Sequence, residues 1–210
     1  MIAHLVYFAD PMCSWCWGFS PAIDAIAAKH PDLPIRLVLG GLRPFTRTPM
    51  DEAAKARTRQ HWEHVEAASG QPFDYGFFDR EGFVYDTEPA ARAVVAARRL
   101  DPARVFALKR RIAHAFYAEN QDVTDAAILV TLADEEGLDR DAFAATFEAD
   151  ATREETLADF AVSKASGVTG FPTLVAGPAG DKGDRYEPIA LGFLPADEVL
   201  ARVDAFFEGR

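Results

Sequence analysis

Asp10-Pro11-Met12-Cys13-Ser14-Trp15-Cys16-Trp17-Gly18 is the stretch on which the reading of this 210-residue chain turns. It holds both cysteines of the protein. An apolar run of strand length, residues 2–9, leads into it, and a segment with helical spacing, residues 21–28, leads out. A Cys-x-x-Cys pair at a strand-to-helix junction is the pattern of a redox-active dithiol. In a helix, residues three apart share a face. That brings their Cα atoms within the roughly 4.4–6.8 Å a disulfide spans. The first cysteine then lies among the unpaired N–H groups at the positive end of the helix dipole, which favours thiolate over thiol. Cys13 is therefore the predicted attacking sulfur. Cys16, one turn further in, is predicted to be more buried and to resolve the mixed disulfide.

Other readings of the pair are weaker. Structural zinc usually takes four ligands, and the chain has no second cysteine pair. An inert pair of core cysteines is a further alternative. A static disulfide closing four residues would constrain the unfolded chain little. Of the five histidines only His61 and His64 stand close together. They are three apart on a predicted helix, within reach of one metal, yet no third ligand is identifiable. They belong to a solvated helix face, or one of them approaches the cysteines. No metal is expected. Asp10 either relays protons to Cys16 or caps the helix. Trp15, Trp17 and Phe19 either form a platform for a peptide or pack beneath the middle of the chain.

Composition bounds the rest. Hydrophobic residues make up 49% of the chain, with 16 phenylalanines, as in a globular protein. The net charge of −11 argues against nucleic acid and anionic membrane surfaces as partners. No apolar stretch approaches the roughly 20 residues that cross a bilayer. The first ten residues have no basic, signal-like character and run straight into the motif, so a cytoplasmic location is expected, where thiols are kept reduced.

In chain order, residues 2–9 read as a strand buried on both faces. Residues 35–39 read as a second, parallel strand, ended by Gly40-Gly41. Thr48-Pro49 reads as the start of a polar helix running to Ser69 and stopped by Gly70. Residues 71–86 are aromatic and aperiodic, a loop placed near the cysteines. From Thr87 to about Ser166 the pattern is helical, with Thr87, Asp101, Thr124 and Asp139 as candidate N-caps. Val105, Leu108, Ile112 and Phe116 form one apolar stripe, read as core. Val168 to Val175 and Arg185 to Leu191 read as two more strands flanking a turn at 177–183. A closing helix begins at Leu194-Pro195.

These residues support a resemblance. The chain resembles the DsbA family of thioredoxin-fold proteins, and within it the FrnE-like branch of predicted protein-disulfide isomerases. The run at residues 10–18, the long helical middle, and Gly167-Val168-Thr169-Gly170-Phe171-Pro172-Thr173-Leu174 carry it. The resemblance implies an α/β thioredoxin fold with a large all-helical insertion. The thioredoxin-like part would comprise residues 1–46 and 151–210, and the insertion residues 47–150. It implies a cis peptide before Pro172, packed against the cysteines, with the Phe171 backbone offered to a substrate chain. The catalytic set is then Cys13, Cys16 and Pro172. Trp15, Phe171 and Gly170 would touch substrate, with Asp10 and Trp17 behind them. No cofactor is implied beyond the cysteine pair, with glutathione possible as reductant. Partners would be a protein or small thiol carrying a disulfide or dithiol; the oligomeric state stays open. DsbA has a histidine just before the second cysteine. Here that place is Trp15, which cannot supply a cation, so a potential nearer the reducing end is expected. The alternative is a glutathione-dependent isomerase or transferase of the kappa-class or 2-hydroxychromene-2-carboxylate isomerase type. Those use a serine near the position of Cys13 and cycle no disulfide, and the Cys13–Cys16 pair argues against them.

Overall fold

Alternation within one strand sets the two faces of the sheet. In β1 (His4–Ala9), Leu5, Tyr7 and Ala9 join the main core, while Val6 and Phe8 join a smaller cluster with Val38. Successive side chains of a strand point to opposite faces, so β1 is buried on both. The structure, a computed structural model, describes residues 4–177 and 186–208. Its four-stranded sheet has the order β2-β1-β3-β4. β2 (Ile35–Leu39) runs parallel to β1, whereas β3 (Thr173–Gly177) and β4 (Glu187–Leu191) pair antiparallel. The turn read at 177–183 and the start of the last strand at Arg185 lie, Gly177 apart, outside the described residues.

The helix after the cysteines is broken. α1 (Ser14–Gly18) ends at Phe19, and α2 (Ser20–Lys29) begins immediately after it. Pro21 explains the break: it has no N–H to return to the carbonyl of Trp17. α2 packs against the closing helix α9 (Ala196–Glu208), where Asp204 receives Lys29 at 2.7 Å and His30 at 2.8 Å.

Between β2 and β3 the described chain is all helix and loop. α3 (Glu52–Ser69) starts three residues later than the sequence suggests. Asp51, not Thr48, is its N-cap, because its carboxylate accepts the N–H of Ala54 at 2.7 Å. α4 (Glu88–Leu100) follows Thr87, whose hydroxyl instead accepts the N–H of Arg43 and ties the helix start to the loop after β2. Asp101 caps the short 3₁₀ turn that leads into α5 (Val105–Tyr117). α6 (Ala126–Glu135) is capped by Asp125 rather than Thr124, and α7 (Arg140–Glu148) by Asp139 as expected. α8 (Asp150–Ala165) returns the chain to the sheet. Its buried Asp159 accepts the N–H of Leu39 at 3.0 Å and pairs with Arg98 of α4 at 2.7 Å, joining two helices to the end of β2.

The aromatic segment 71–86 holds a 3₁₀ turn, Tyr75–Asp79, and wraps a single buried indole. Trp62 of α3 has ring centroids of Phe77 and Phe78 at 4.9 Å and of Tyr117 at 5.0 Å. Such pairs contribute about 0.5–1.5 kcal/mol each beyond their buried area. The cluster fixes α3 and α5 against each other, and both helices reach the cysteines.

Candidate active site

Cys13 is the N-cap of α1, and Cys16 lies one turn inside it. Only the first of them opens outward. Cys13 lines a cleft of about 410 Å³, whereas Cys16 has no exposed surface. The Cys13 thiol points to the carbonyl of Phe171 at 3.7 Å, and the Phe171–Pro172 peptide bond is cis. The strand-end turn is held by Asp10, which is fully buried. Its carboxylate accepts the N–H groups of Met12 at 2.9 Å and Leu42 at 2.8 Å. It therefore braces the approach to Cys13 and the loop after β2. The tip of the Phe171 ring lies against Gly40: a Cβ there would sit 2.0 Å from its Cζ. A side chain at 40 would force the Phe171 ring out of its present place.

The back of the pair is occupied by a side chain that the sequence reading assigned no role. Lys109 of α5 is 3% exposed, with its ammonium 3.4 Å from the Cys16 carbonyl and 3.5 Å from the Tyr7 hydroxyl. Burial lowers its pKa, against the pull of Cys16, Cys13 and Asp10. Burial likewise raises Asp10 above the ordinary carboxylate value, opposed by the N–H groups of Leu42 and Met12. The signal for Lys109 was in the sequence: it falls on the same helical face as Val105, Leu108 and Ile112, a lysine set in an apolar stripe.

This arrangement corrects the expected charge distribution in the pair. The thiol of Cys13 is pushed well above its usual range by its hydrogen bond to Cys16, then by burial and the nearby Cys16 charge. Burial also opposes ionisation of Cys16, but the hydrogen bond from Cys13 and the Lys109 ammonium outweigh it and hold Cys16 below that range. α1 has only five residues before it breaks. So short a helix contributes a small dipole, and a buried ammonium beside Cys16 outweighs it. Ionisation of the pair is thus drawn toward Cys16.

Of the other candidates, Trp15 and Phe171 line the cleft with Cys13. Trp15 packs edge-on to His61 at 5.7 Å and against Phe193 at 5.3 Å. Trp17 and Phe19 are buried away from the cleft: Trp17 donates to the Pro72 carbonyl at 3.2 Å, and Phe19 stacks on Tyr7. They pack beneath the insertion and form no platform. Gly170 lines a different groove, of about 620 Å³, on the other sheet face with Val6, Phe8 and Val38. That larger groove contains no cysteine, and Phe171 is the residue common to both. His61 lines the cysteine cleft, while among the described residues no three metal-binding side chains cluster. Tyr85, from the aromatic segment, donates to the Met12 carbonyl at 2.8 Å and pairs with Tyr117 at 3.2 Å, so it steadies the backbone next to Cys13. The sequence placed its segment near the cysteines and gave no sign of which residue would touch them.

A four-stranded thioredoxin sheet with one cysteine lining a cleft and a second enclosed behind it, at one strand end, defines a thiol–disulfide oxidoreductase architecture. Residues 4–199 match the model of the DSBA-like thioredoxin domain, and the chain belongs to that family. Its fold is close to that of a Nitrosomonas europaea protein provisionally described as a protein disulfide isomerase, at 36% identity, TM-score 0.90 and full coverage of both chains. The cytosolic disulfide reductase DsbM of Pseudomonas aeruginosa is similar at 28% identity and TM-score 0.81, over 99% of this chain and 100% of that one. A structure of DsbM with GSH also matches, at TM-score 0.78, over 98% of this chain and 99% of that one. The ClpXP adapter protein SpxH of Shouchella clausii is 23% identical over 80% of this chain. The chain spans about half of that relative's length, 55%.

Proposed function

We propose that this protein is a cytosolic dithiol–disulfide reductase, with glutathione among the thiols that return it to the reduced state. The observation that carries the reading is the asymmetry of the pair: Cys13 faces the cleft, and Cys16 is enclosed beside Lys109. Attack begins when Cys13 passes its proton to the Cys16 thiolate, the sulfur at which ionisation is favoured. The Cys13 thiolate then displaces one sulfur of the substrate disulfide as a thiolate. Cys16 gives up its proton to the first substrate thiolate and attacks the Cys13 sulfur, which releases the second substrate thiolate and leaves a Cys13–Cys16 disulfide. Two electrons pass from the protein to the substrate. The cis Phe171–Pro172 segment, with its carbonyl toward Cys13, would present backbone to an extended substrate chain.

The direction follows from thiolate stability. A strongly oxidising pair owes its potential to a stabilised reduced form. Here the attacking thiol of Cys13 is raised, Trp15 supplies no charge, and the stabilisation of the reduced form is confined to the enclosed Cys16. The similarity to DsbM supports the same direction. A glutathione-dependent isomerase would have no use for an enclosed second thiol, and the Cys16–Lys109 contact favours the redox reading over it.

A redox titration in glutathione buffers, read by Trp15 fluorescence, tests this. The expected result is one reversible two-electron transition, absent in Cys13→Ser, nearer thioredoxin's potential of about −270 mV than DsbA's of about −120 mV. A midpoint close to the latter would make the protein an oxidase. If both thiols stayed free under oxidising buffer, the redox reading would be lost.

A further inference from the structure

The cleft over Cys13 carries a charge pattern the rest of the chain does not share. The protein has 33 acidic side chains against 22 lysines and arginines. Yet the cleft is lined by Arg43, Arg57 and His61, with no aspartate or glutamate among the described residues that form its wall. Most of the arginines elsewhere among the described residues are held by carboxylates, as Arg92 is by Glu88, Arg98 by Asp159 and Arg111 by Glu135. Among the described residues, neither Arg43 nor Arg57 has a carboxylate within 4.0 Å. The Arg43 guanidinium lies instead over the ring of Tyr85, 4.9 Å from its centroid, and Tyr85 is itself part of the wall. Arg57 stands exposed on α3. His61 adds a ring whose pKa is lowered by burial, then by His64 and Arg43, so it is neutral near pH 7. The apolar parts of the wall are Trp15, Trp62 and Phe171.

We infer that this cleft selects small disulfides bearing carboxylates, with Arg43 and Arg57 reading the charge while Cys13 attacks the sulfur. The inference rests on the oxidoreductase reading above and narrows its substrate class. Three considerations support it. In an acidic chain, two arginines without carboxylate partners beside the reactive sulfur give the cleft a local field opposite in sign to the net charge, which steers anions toward it. A guanidinium presents paired N–H donors that match a carboxylate. Flat aromatic walls also lower the local dielectric, so each charge acts more strongly than on an open surface. The step is the same exchange: the Cys13 thiolate forms a bond to one substrate sulfur, the substrate S–S bond breaks, and a carboxylate-bearing thiolate leaves. Cys16 then releases the second one.

Three disulfides of nearly equal size and different charge form the probe set: dithiodipropionate (anionic), hydroxyethyl disulfide (neutral) and cystamine (cationic). Single-turnover oxidation of the pre-reduced protein is followed by Trp15 fluorescence and by alkylation mass. Each rate is divided by that of free mercaptoethanol with the same disulfide, which removes intrinsic reactivity. The normalised preference for dithiodipropionate over cystamine is expected to be about tenfold, the order of one charge-assisted hydrogen bond. It should fall about threefold in Arg57→Gln, approach unity in Arg43→Gln/Arg57→Gln, and invert in Arg57→Glu. No preference in the wild type, or a preference that survives the double substitution and the charge reversal, overturns the inference. If none of the three disulfides oxidises the pair, the oxidoreductase reading itself falls, and this one with it.

Discussion

The helical middle of the chain contributes charge to both the front and the back of the cysteine pair, and the two differ in how their charges act. In front, Arg57 and His61 of α3 stand at a cleft open to solvent. Behind, Lys109 of α5 is enclosed with Tyr7, Asp10 and Cys16. A charge in water is screened by salt within about 10 Å at 0.1 M. A charge removed from water keeps its field and shifts the ionisation of its neighbours. The front is therefore suited to recognising a substrate, and the back to setting where the proton of the pair resides.

The largest expected effect separates the two sulfurs. Cys16→Ser should accumulate a stable mixed disulfide on Cys13, detected by mass, while Cys13→Ser should form none and lose reductase activity entirely. Equal trapping by both variants would mean that the enclosed sulfur is as reachable as the cleft one, and the front–back distinction would collapse.

Replacing Lys109 probes the back alone. Lys109→Met keeps an unbranched apolar stem and removes the ammonium. Loss of a nearby positive charge disfavours the thiolate, so the pair's pKa must rise. Below that pKa the thiolate fraction, and the alkylation rate with it, should drop about tenfold near pH 7. The pH profile of iodoacetamide alkylation measures this. A profile that does not move, in a variant that melts like the wild type, would reduce Lys109 to a packing residue.

Tyr85 joins the two sides through the Met12 carbonyl, and its removal should be felt weakly on both. Tyr85→Phe loses the bond to that carbonyl and leaves Tyr117 without its partner. The expected cost is about 1 kcal/mol by urea denaturation, with a slowing of Cys13 alkylation of about two- to threefold. A cost near zero would indicate that the aromatic packing around Trp62 alone positions the backbone.

The smallest effect is the one salt should reveal. Raising ionic strength from about 0.05 to 0.5 M should erode the difference between Arg57→Gln and wild type toward charged disulfides. It should leave the difference between Lys109→Met and wild type nearly intact. Equal erosion of both would contradict the enclosed placement of Lys109.

The motif at residues 10–18 and the order of the strands were legible because they depend on local pattern. β1 and β2 are short apolar runs bounded by turn residues, and Pro172 opens its strand as a residue without an N–H must. Helix starts were read less well. At α3 and α6 a threonine and a nearby aspartate competed for the cap, and the aspartate took it both times. The break at Phe19 was hidden because Pro21 is tolerated in a first turn, which made one helix and two helices equally consistent with the sequence. The site was legible only in its first half. Cys13, Cys16 and Asp10 lie within one stretch, whereas Arg43, Arg57, Tyr85 and Lys109 arrive from elements tens of residues away. Lys109 had a visible trace, a cation among apolar stripe residues. Tyr85 had none, since one aromatic residue among six in that segment looks like any other.

That Lys109 reaches Cys16 from α5 rather than from a strand of the sheet has a consequence for descent. Within one lineage the cysteine motif can stay fixed letter for letter while the helical segment that covers it drifts. Each change at the face of α5 then resets the acidity of the pair without touching the pair itself. Where Lys109 sets the acidity of the pair, two relatives that share the sequence of residues 10–18 need not share a potential.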